Sequence, residues 1–124
     1  MAKTILLVDD EKDTASVFET ALKSAGYNVV LAQNGKAAFD TAVKGGIDGI
    51  LLDQMMPEMN GNETLKVLKA DDITKNIPVS MLSNFGDEKF VKEAIDNGAS
   101  DYIFKYQVSP EDLVVKVKRL VGDE

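Results

Sequence analysis

The sequence predicts an α/β fold: a doubly wound, five-stranded parallel sheet of the flavodoxin-like (βα)5 type with strand order 2-1-3-4-5. Short apolar runs alternate five times with segments of helical periodicity along the chain. The runs do not alternate between apolar and polar residues, which is typical of strands covered by helices on both faces of a parallel sheet. No linker or low-complexity segment interrupts this rhythm, so we expect residues 1–124 to form a single domain.

Each predicted strand is short and is followed by a stripe of apolar residues at helical spacing. The strands cover residues 5–8, 29–31, 50–52, 79–82 and 102–104. The stripes consist of Phe18, Ala21, Leu22 and Ala25; Ala38, Phe39, Ala42 and Val43; Leu65 and Leu68; Phe90, Val91, Ala94 and Ile95; and Leu113, Val114, Val117, Leu120 and Val121. The last helix has a predicted start, because Ser109 is a good N-cap, Pro110 suits the first helical position and Asp112 stands three residues after the cap.

The composition excludes several kinds of site. The chain contains no cysteine and no histidine, which excludes disulfides, thiolate metal sites and histidine-dependent catalysis. Its formal net charge of −7 is a poor match for nucleic acid, so no direct nucleic-acid binding is expected. No apolar stretch approaches membrane-spanning length and the start lacks a signal-peptide pattern, so we expect a cytoplasmic protein without membrane contact.

Polar residues that could take part in catalysis or bind a ligand follow four of the five predicted strands. They are Asp9 with Asp10, Asp53, Ser83 and Lys105. Taken singly, each is commonly a helix cap, a turn residue or a solvated surface residue. Together they lie at the carboxyl ends of parallel strands, which is the edge where open α/β sheets bind ligands. In the predicted order, the three aspartates follow strands one and three, where the strand order reverses.

These residue types favour phosphoryl chemistry. Three converging carboxylates repel one another, and a hard divalent cation such as Mg²⁺ at Asp9, Asp10 and Asp53 removes that conflict. Lys105 can pair with one phosphoryl oxygen and Ser83 can donate a hydrogen bond to another. Asp53 is the natural nucleophile because it follows the central strand, between the acidic pair and Ser83.

The sequence resembles the CheY-like response-regulator receiver family of two-component signalling from Lys3 to near Val121. The matching motifs are Val8-Asp9-Asp10-Glu11, Leu52-Asp53-Gln54-Met55-Met56-Pro57, Gly61, Ser83, Gly98-Ala99 and Asp101-Tyr102-Ile103-Phe104-Lys105. The resemblance implies that Asp53 is phosphorylated, while Lys105 and Ser83 bind the phosphoryl group. It also implies that Asp10, Asp53 and the main-chain carbonyl of Met55 contact Mg²⁺ directly and Asp9 mostly through water. Tyr102 would be a rotameric switch coupled to Ser83.

The same resemblance implies how such a switch works. The phosphoryl donor would be a phosphohistidine on a sensor histidine kinase or a histidine phosphotransfer protein. A downstream protein target would bind the face made by the fourth helix, the fifth strand and the fifth helix. The chain would be a phosphoacceptor that assists its own phosphorylation and dephosphorylation and not a conventional turnover enzyme. It would be a monomer or a weak, phosphorylation-dependent dimer, acting alone or as the receiver part of a longer protein.

Three positions depart from the family's usual pattern. Tyr106 follows Lys105, where the family usually has a proline joined by a cis bond. A cis bond before a residue other than proline costs about 2.5–4 kcal/mol, so we predict a trans Lys105–Tyr106 peptide. Asn84 and Phe85 follow Ser83, where the family usually has a small residue first, and they predict a narrower approach to the phosphoryl site.

Other functions remain open at this stage. A haloacid-dehalogenase-type phosphatase also uses an aspartate nucleophile, but it places a second carboxylate two residues later, where this chain has Met55. A flavodoxin-like cofactor carrier would need a phosphate-binding loop, and the first β–α turn lacks a glycine-rich one. A degenerate receiver that only binds a partner would not need the intact Asp53, Ser83 and Lys105 set.

Overall fold

The apolar runs form one parallel sheet in the computed structural model, which describes residues 2–123. The strands are β1 Thr4–Val8, β2 Asn28–Ala32, β3 Gly49–Leu52, β4 Val79–Ser83 and β5 Asp101–Phe104. Every neighbouring pair is parallel and the order is β2-β1-β3-β4-β5, which confirms the predicted fold class and topology. All five predicted strand cores lie within these bounds, and each strand is only one or two residues longer than its apolar run.

Five α-helices connect and cover the strands. They are α1 Lys12–Ser24, α2 Gly35–Ala42, α3 Gly61–Ala70, α4 Glu88–Asp96 and α5 Pro110–Val121. Side-chain caps start four of them: Asn34, Asn60, Asp87 and Ser109 each accept a hydrogen bond from a main-chain N–H of the first turn. The predicted start of α5 is confirmed, because Ser109 and Asp112 cap each other's main-chain N–H groups.

The side chains of the strands point alternately into two cores, one on each side of the sheet. In β1, Leu6 and Val8 pack with α2, α3 and α4, whereas Ile5 and Leu7 pack with α1 and α5. The central strands are completely covered, since every residue of β3 and β4 is buried. This rigid double-sided packing fixes the carboxyl ends of the strands relative to one another.

Two apolar residues are more exposed than the sequence pattern predicts. Leu31 of β2 is 48% exposed because β2 is an edge strand. Ile95 belongs to the predicted apolar stripe of the fourth helix but is 46% exposed, and Ala94 is the residue of α4 that is fully buried. The short helix α4 therefore buries fewer apolar side chains than its sequence pattern predicts.

Among residues 2–123, no helix is both long and apolar enough to cross a membrane.

Candidate functional site

The predicted site residues lie at the carboxyl ends of β1, β3, β4 and β5. Asp9, Asp53, Ser83 and Lys105 are all buried, while Asp10 is exposed. Parallel pairing aligns the strand ends, since Val8 of β1 lies opposite Leu52 of β3. The main-chain N–H of Asp53 donates to the carbonyl of Val8 over 3.0 Å, so the residue after β3 is anchored to β1.

Lys105 brings its ammonium group to three carboxylates. Its Nζ lies 2.7 Å from Asp9 Oδ2, 3.3 Å from Asp53 Oδ2 and 3.4 Å from Glu11 Oε1. The side chain is only 3% exposed. Burial alone would lower its pKa, but the hydrogen bond to Asp9 and the charges of Asp53, Asp9 and Glu11 outweigh burial and raise the pKa of Lys105. The environment of Lys105 therefore favours its charged form beside the candidate phosphoacceptor.

Asp9 is the most tightly held carboxylate of the site. Its Oδ2 accepts from Lys105, and its Oδ1 accepts from the main-chain N–H of Glu11 over 2.9 Å. Burial raises the pKa of Asp9 above its ordinary value, although the hydrogen bonds from Lys105 and Glu11 act in the opposite direction. The nearby charge of Asp53 raises it further, which is the repulsion that a bound cation would relieve.

The three aspartates form a cluster that fits a hard cation. Asp9, Asp10 and Asp53 each offer one carboxylate oxygen, and these oxygens all lie within 4.8 Å of one another. Opposite ligands of an octahedral Mg²⁺ are about 4 Å apart, so small side-chain movements suffice to share one ion. Asp10 is exposed, which leaves the outer side of the cluster open to solvent and to a phosphoryl group. The donor set thus consists of oxygen ligands alone, which Mg²⁺ prefers.

Asp53 occupies the floor of the site. Its Oδ1 accepts from the main-chain N–H of Gln54 over 2.8 Å, and its Oδ2 faces Lys105. Gly61 at the start of α3 packs so closely that a Cβ there would overlap the main-chain oxygen of Asp53. Glycine is therefore required at position 61 for close approach. Met55, two residues after Asp53, is by contrast 55% exposed.

Ser83 and Tyr102 meet at the main chain of Phe85. Ser83 Oγ accepts from the Phe85 N–H over 3.1 Å, and the Tyr102 hydroxyl donates to the Phe85 carbonyl oxygen. The Tyr102 side chain packs close to Gly86, where a Cβ would come within 2.7 Å of its ring. The family resemblance implied a coupling between Ser83 and Tyr102, and in the structure both side chains contact the main chain of Phe85.

The loop after β5 begins with Lys105 and Tyr106. No cis peptide bond occurs within residues 2–123, so the Lys105–Tyr106 peptide is trans. This confirms the prediction made from the absence of proline. Lys105, Tyr106 and Gln107 form a short 3₁₀ turn, η1 Lys105–Gln107, that the sequence did not predict. The turn keeps Lys105 buried while Tyr106 is 69% exposed.

Four residues with polar contacts at or next to the site were not predicted from sequence. Gln54 and Asn62 form a buried pair of amides, Asn62 also contacts Glu93, and Glu11 is a third carboxylate at Lys105. Their positions in the sequence resemble ordinary loop and helix-surface positions. Two signals were present: Gln54 and Glu11 stand in the motifs that carry the family resemblance, and Asn62 stands in the first turn of the helix that follows Asp53.

A comparison with family models gives a match to the response regulator receiver domain over residues 5–118. Among curated proteins, the chain is 39% identical over 121 residues to the phosphate regulon transcriptional regulatory protein PhoB of Pseudomonas aeruginosa. That alignment covers 98% of this chain and 52% of PhoB. The chain therefore spans about half the length of the curated relatives it matches.

Solved structures give the same likeness over whole chains. The chemotaxis protein CheY4 of Vibrio cholerae superposes with a TM-score of 0.89 at 29% identity, covering 97% of this chain and 99% of that one. The receiver domain of a sensor histidine kinase from Pseudomonas aeruginosa PAO1 gives a TM-score of 0.88 at 26% identity, covering 98% and 99% of the two chains. That receiver domain holds a magnesium ion coordinated in its active site cleft.

Proposed function

The chain belongs to the family of response regulator receiver domains, and from this premise we propose that Asp53 accepts the phosphoryl group in a phosphorylation-controlled switch of two-component signalling. One observation carries the assignment to Asp53. Its buried carboxylate lies 3.3 Å from the Lys105 ammonium and shares an acidic cluster with Asp9 and Asp10. This is the arrangement that a phosphoryl group with its cation would complete.

The proposed reaction is the transfer of a phosphoryl group from a phosphohistidine. An oxygen of the Asp53 carboxylate attacks the phosphorus, the P–N bond to the donor imidazole breaks, and the imidazole leaves with the bonding electron pair and takes up a proton. A P–O bond to Asp53 forms in the same step. Lys105 is 3.3 Å from Asp53 Oδ2 and supplies positive charge to the transferred oxygens. Ser83 supplies a hydroxyl that can turn from Phe85 to a phosphoryl oxygen.

Mg²⁺ is the cofactor that we propose for this site. Asp10, Asp53 and the main-chain carbonyl of Met55 would hold it directly, with Asp9 acting mostly through water. The engagement of both Asp9 oxygens by Lys105 and Glu11 supports this division between the aspartates. When bound, the ion neutralises charge that develops on the phosphoryl oxygens. The magnesium in the cleft of the related receiver domain from Pseudomonas aeruginosa supports the same choice.

The partners are proposed from the same premise. A sensor histidine kinase or a histidine phosphotransfer protein would donate the phosphoryl group. A downstream protein would bind the face of α4, β5 and α5, where the apolar side chains of Ile95, Tyr106 and Val115 are exposed. We propose no direct contact of the chain with nucleic acid or membrane. The chain would be a monomer or a weak, phosphorylation-dependent dimer in the cytoplasm. PhoB is a transcriptional regulatory protein of about twice this length, so this chain acts alone or as the receiver part of a longer regulator.

We also propose that the chain is a phosphoacceptor and not a turnover enzyme. A phosphatase of the haloacid dehalogenase type would need an acid or base where Met55 stands, and the thioether of Met55 cannot transfer protons. Asp53 would be phosphorylated and would then lose the group slowly to water, which releases inorganic phosphate and restores the carboxylate. The site residues would assist both steps, and the phosphorylated state, not the released phosphate, would be the output.

Intact-mass analysis tests this function directly. The chain is treated with acetyl phosphate or phosphoramidate, with and without Mg²⁺, and the mass gain of one phosphoryl group is measured. We expect a gain that requires Mg²⁺ and disappears in Asp53→Asn. Asp72→Asn is the matched control, because Asp72 is a surface aspartate with a 93% exposed side chain. A full gain that persists in Asp53→Asn would overturn the assignment.

A further inference from the structure

A pair of buried amides connects the residue after Asp53 to α4. Gln54 is 0% exposed and Asn62 is 1% exposed. Gln54 Oε1 accepts from the main-chain N–H of Asn62 over 2.8 Å, and Gln54 Nε2 donates to Asn62 Oδ1 over 2.9 Å. Asn62 Nδ2 then donates to the carbonyl of Phe90 over 3.2 Å and to Glu93 Oε1 over 2.7 Å, both on α4. We call the pair of Gln54 and Asn62 the amide bridge.

The chemistry of the partners fixes the orientation of both amides. The main-chain N–H of Asn62 can only donate, so the oxygen of Gln54 must face it. The Gln54 nitrogen therefore faces Asn62 Oδ1, which leaves the Asn62 nitrogen for the carbonyl of Phe90 and the carboxylate of Glu93. Rotating either amide by half a turn would oppose donor to donor or acceptor to acceptor. The bridge therefore has a single arrangement while α4 stays in place.

The bridge begins at the phosphoacceptor. The main-chain N–H of Gln54 donates to Asp53 Oδ1 over 2.8 Å, and the Gln54 carbonyl accepts from the N–H of Gly61 over 2.9 Å. The start of α3 is thus bonded to Gln54 through both its main chain and its side chain. A movement of the Gln54 main chain is transmitted to Asn62, because buried amides lose too much when they are left unpaired.

We propose that the amide bridge is a positioning device that couples the phosphorylation state of Asp53 to the position of α4, by a route through α3 that is separate from Ser83. The inference rests on the proposed phosphorylation of Asp53. In the unmodified chain, Gln54 donates to a charged carboxylate. Phosphorylation converts that carboxylate into an acyl phosphate with a neutral carbonyl oxygen and a bridging anhydride oxygen, which weakens the hydrogen bond, since charge-assisted bonds are roughly twice as strong as neutral ones. Gln54 is then freer to move, and Asn62 and α4 follow it.

Tyr102 also contacts the amide bridge. Gln54 Nε2 also lies 3.4 Å from the Tyr102 hydroxyl, so its second N–H is satisfied only while Tyr102 keeps the rotamer seen here. Rotation of Tyr102 would leave a buried donor of Gln54 unpaired. The bridge therefore favours the rotamer of the unmodified chain, and a shift of Gln54 removes that preference.

NMR with beryllofluoride and Mg²⁺, a mimic of the phosphoryl group, tests the proposal. We compare amide shifts of the wild type, Asn62→Leu and the double variant Gln54→Leu/Asn62→Leu. The double variant removes both amide side chains, so neither is left buried without the other, although the main-chain N–H of residue 62 loses its acceptor. We expect each variant to bind the mimic, with shifts at Asp53 and Phe85, while the shift changes over residues 90–96 fall to half or less of the wild-type values. A purely structural role would lower Tm and leave the response of α4 intact.

Glu93→Ala gives a second measurement that leaves both buried amides in place. It removes the carboxylate on α4 that accepts from Asn62, and it should reduce the α4 response in the same direction. Glu88→Ala, on the exposed first turn of the same helix, is the matched control and should respond as the wild type does. A full α4 response in Asn62→Leu and in Glu93→Ala would overturn the bridge while leaving phosphorylation of Asp53 standing. Absence of any shift in the wild type, together with no mass gain, would overturn both.

Discussion

Ser83 and Tyr102 hold the same loop residue from two sides: the N–H of Phe85 donates to Ser83 Oγ over 3.1 Å, and its carbonyl accepts from the Tyr102 hydroxyl. A phosphoryl oxygen on Asp53 would accept from the Ser83 hydroxyl, and rotation of Ser83 toward it would move Oγ away from the Phe85 N–H. Once Ser83 turns toward the phosphoryl oxygens, the loop loses one of its two anchors. The present rotamer of Tyr102 would then be less favoured, and its rotation would change the surface around β5. Such a switch is a population shift between two states that differ by only a few kcal/mol.

The first prediction concerns where this change is seen. Phosphoryl-mimic titration followed by NMR should perturb amides of residues 86–95 and 102–114, which cover α4, β5 and the start of α5. Tyr102→Phe keeps the ring but removes both hydroxyl contacts, so it should bind the mimic and show smaller changes on that face. It should also lower the free energy of unfolding by about 1 kcal/mol. Changes confined to α1 and α2 would contradict this prediction.

The second prediction concerns Lys105. Lys105→Met removes the ammonium that Asp9, Asp53 and Glu11 share, and leaves two buried carboxylates without their cation. We expect the free energy of unfolding to fall by about 3 kcal/mol in the absence of Mg²⁺. The rate of phosphorylation by acetyl phosphate should fall by about 10-fold to 100-fold. Lys116→Met is the control, since Lys116 pairs with Asp101 on the surface at 3.5 Å. Equal losses in both variants would show that Lys105 acts as an ordinary surface lysine.

The third prediction is that Mg²⁺ stabilises the fold. The ion relieves repulsion among Asp9, Asp10 and Asp53 that exists only in the folded chain, so binding adds to the free energy of unfolding. The gain is about 2.7 kcal/mol when Mg²⁺ is at about 100 times its Kd. Thermal melts across millimolar Mg²⁺ measure it. Asp10→Asn should reduce the rise in Tm, whereas Asp13→Asn, on the exposed first turn of α1, should not. A Tm that does not change with Mg²⁺ would count against the site.

The fold and the main site residues could be predicted from sequence because both depend on strand ends. A continuous apolar run marks a buried parallel strand, and the residue after it must reach the carboxyl edge of the sheet. Asp53 and Lys105 are 52 positions apart in the sequence, yet parallel pairing places both at one edge of the sheet, where the long Lys105 side chain brings its Nζ within 3.3 Å of Asp53 Oδ2. The exposed fraction of Ile95 could not be predicted, because spacing shows which side chains share a helix face and not how much of that face the sheet covers.

The amide bridge was hidden from sequence for a different reason. Glutamine and asparagine are usually exposed, so Gln54 and Asn62 predict surface positions. Their burial depends on a mutual hydrogen-bond geometry that appears only when α3 packs on the loop after β3. The close approach at Gly61 makes this packing possible. Glycine at 61 could be seen in the sequence, but the polar partners that it brings together could not.

The fourth prediction is a loss of stability at high pH that involves Tyr27. Burial, then the hydrogen bond to Asp123 and its charge, raise the pKa of Tyr27 from 10.0 to about 12. The unfolded chain therefore releases the Tyr27 proton at lower pH than the folded chain does. The resulting stabilisation is complete below pH 10 and is lost as the pH rises toward 12. Urea unfolding at several pH values should show a shallower decline in Tyr27→Phe, while an identical decline in both proteins would exclude this role.

The last prediction is a long-lived phosphorylated state. Hydrolysis of an aspartyl phosphate needs a water molecule aligned with the phosphorus opposite the Asp53 oxygen, and a polar side chain at the mouth of the site can hold that water. Met55, two residues after Asp53, and Phe85, two residues after Ser83, are apolar instead and are 55% and 38% exposed. Neither side chain can orient water by a strong hydrogen bond. The Phe85 ring also packs edge-on against Phe90, with 5.0 Å between ring centroids, which holds an apolar surface over the loop after β4.

Removal of the phosphoryl donor, followed by intact-mass measurement of decay, tests this lifetime. Met55→Asn and Phe85→Glu introduce groups that can position water, so each should accelerate decay by about 10-fold, which corresponds to about 1.4 kcal/mol in the barrier. Asn84→Ala is the control, because it reduces bulk beside Ser83 without adding a group that can hold water. If the control accelerates decay as much as the two polar variants do, steric access sets the lifetime. If the parent chain decays as fast as all three, neither Met55 nor Phe85 controls the reaction.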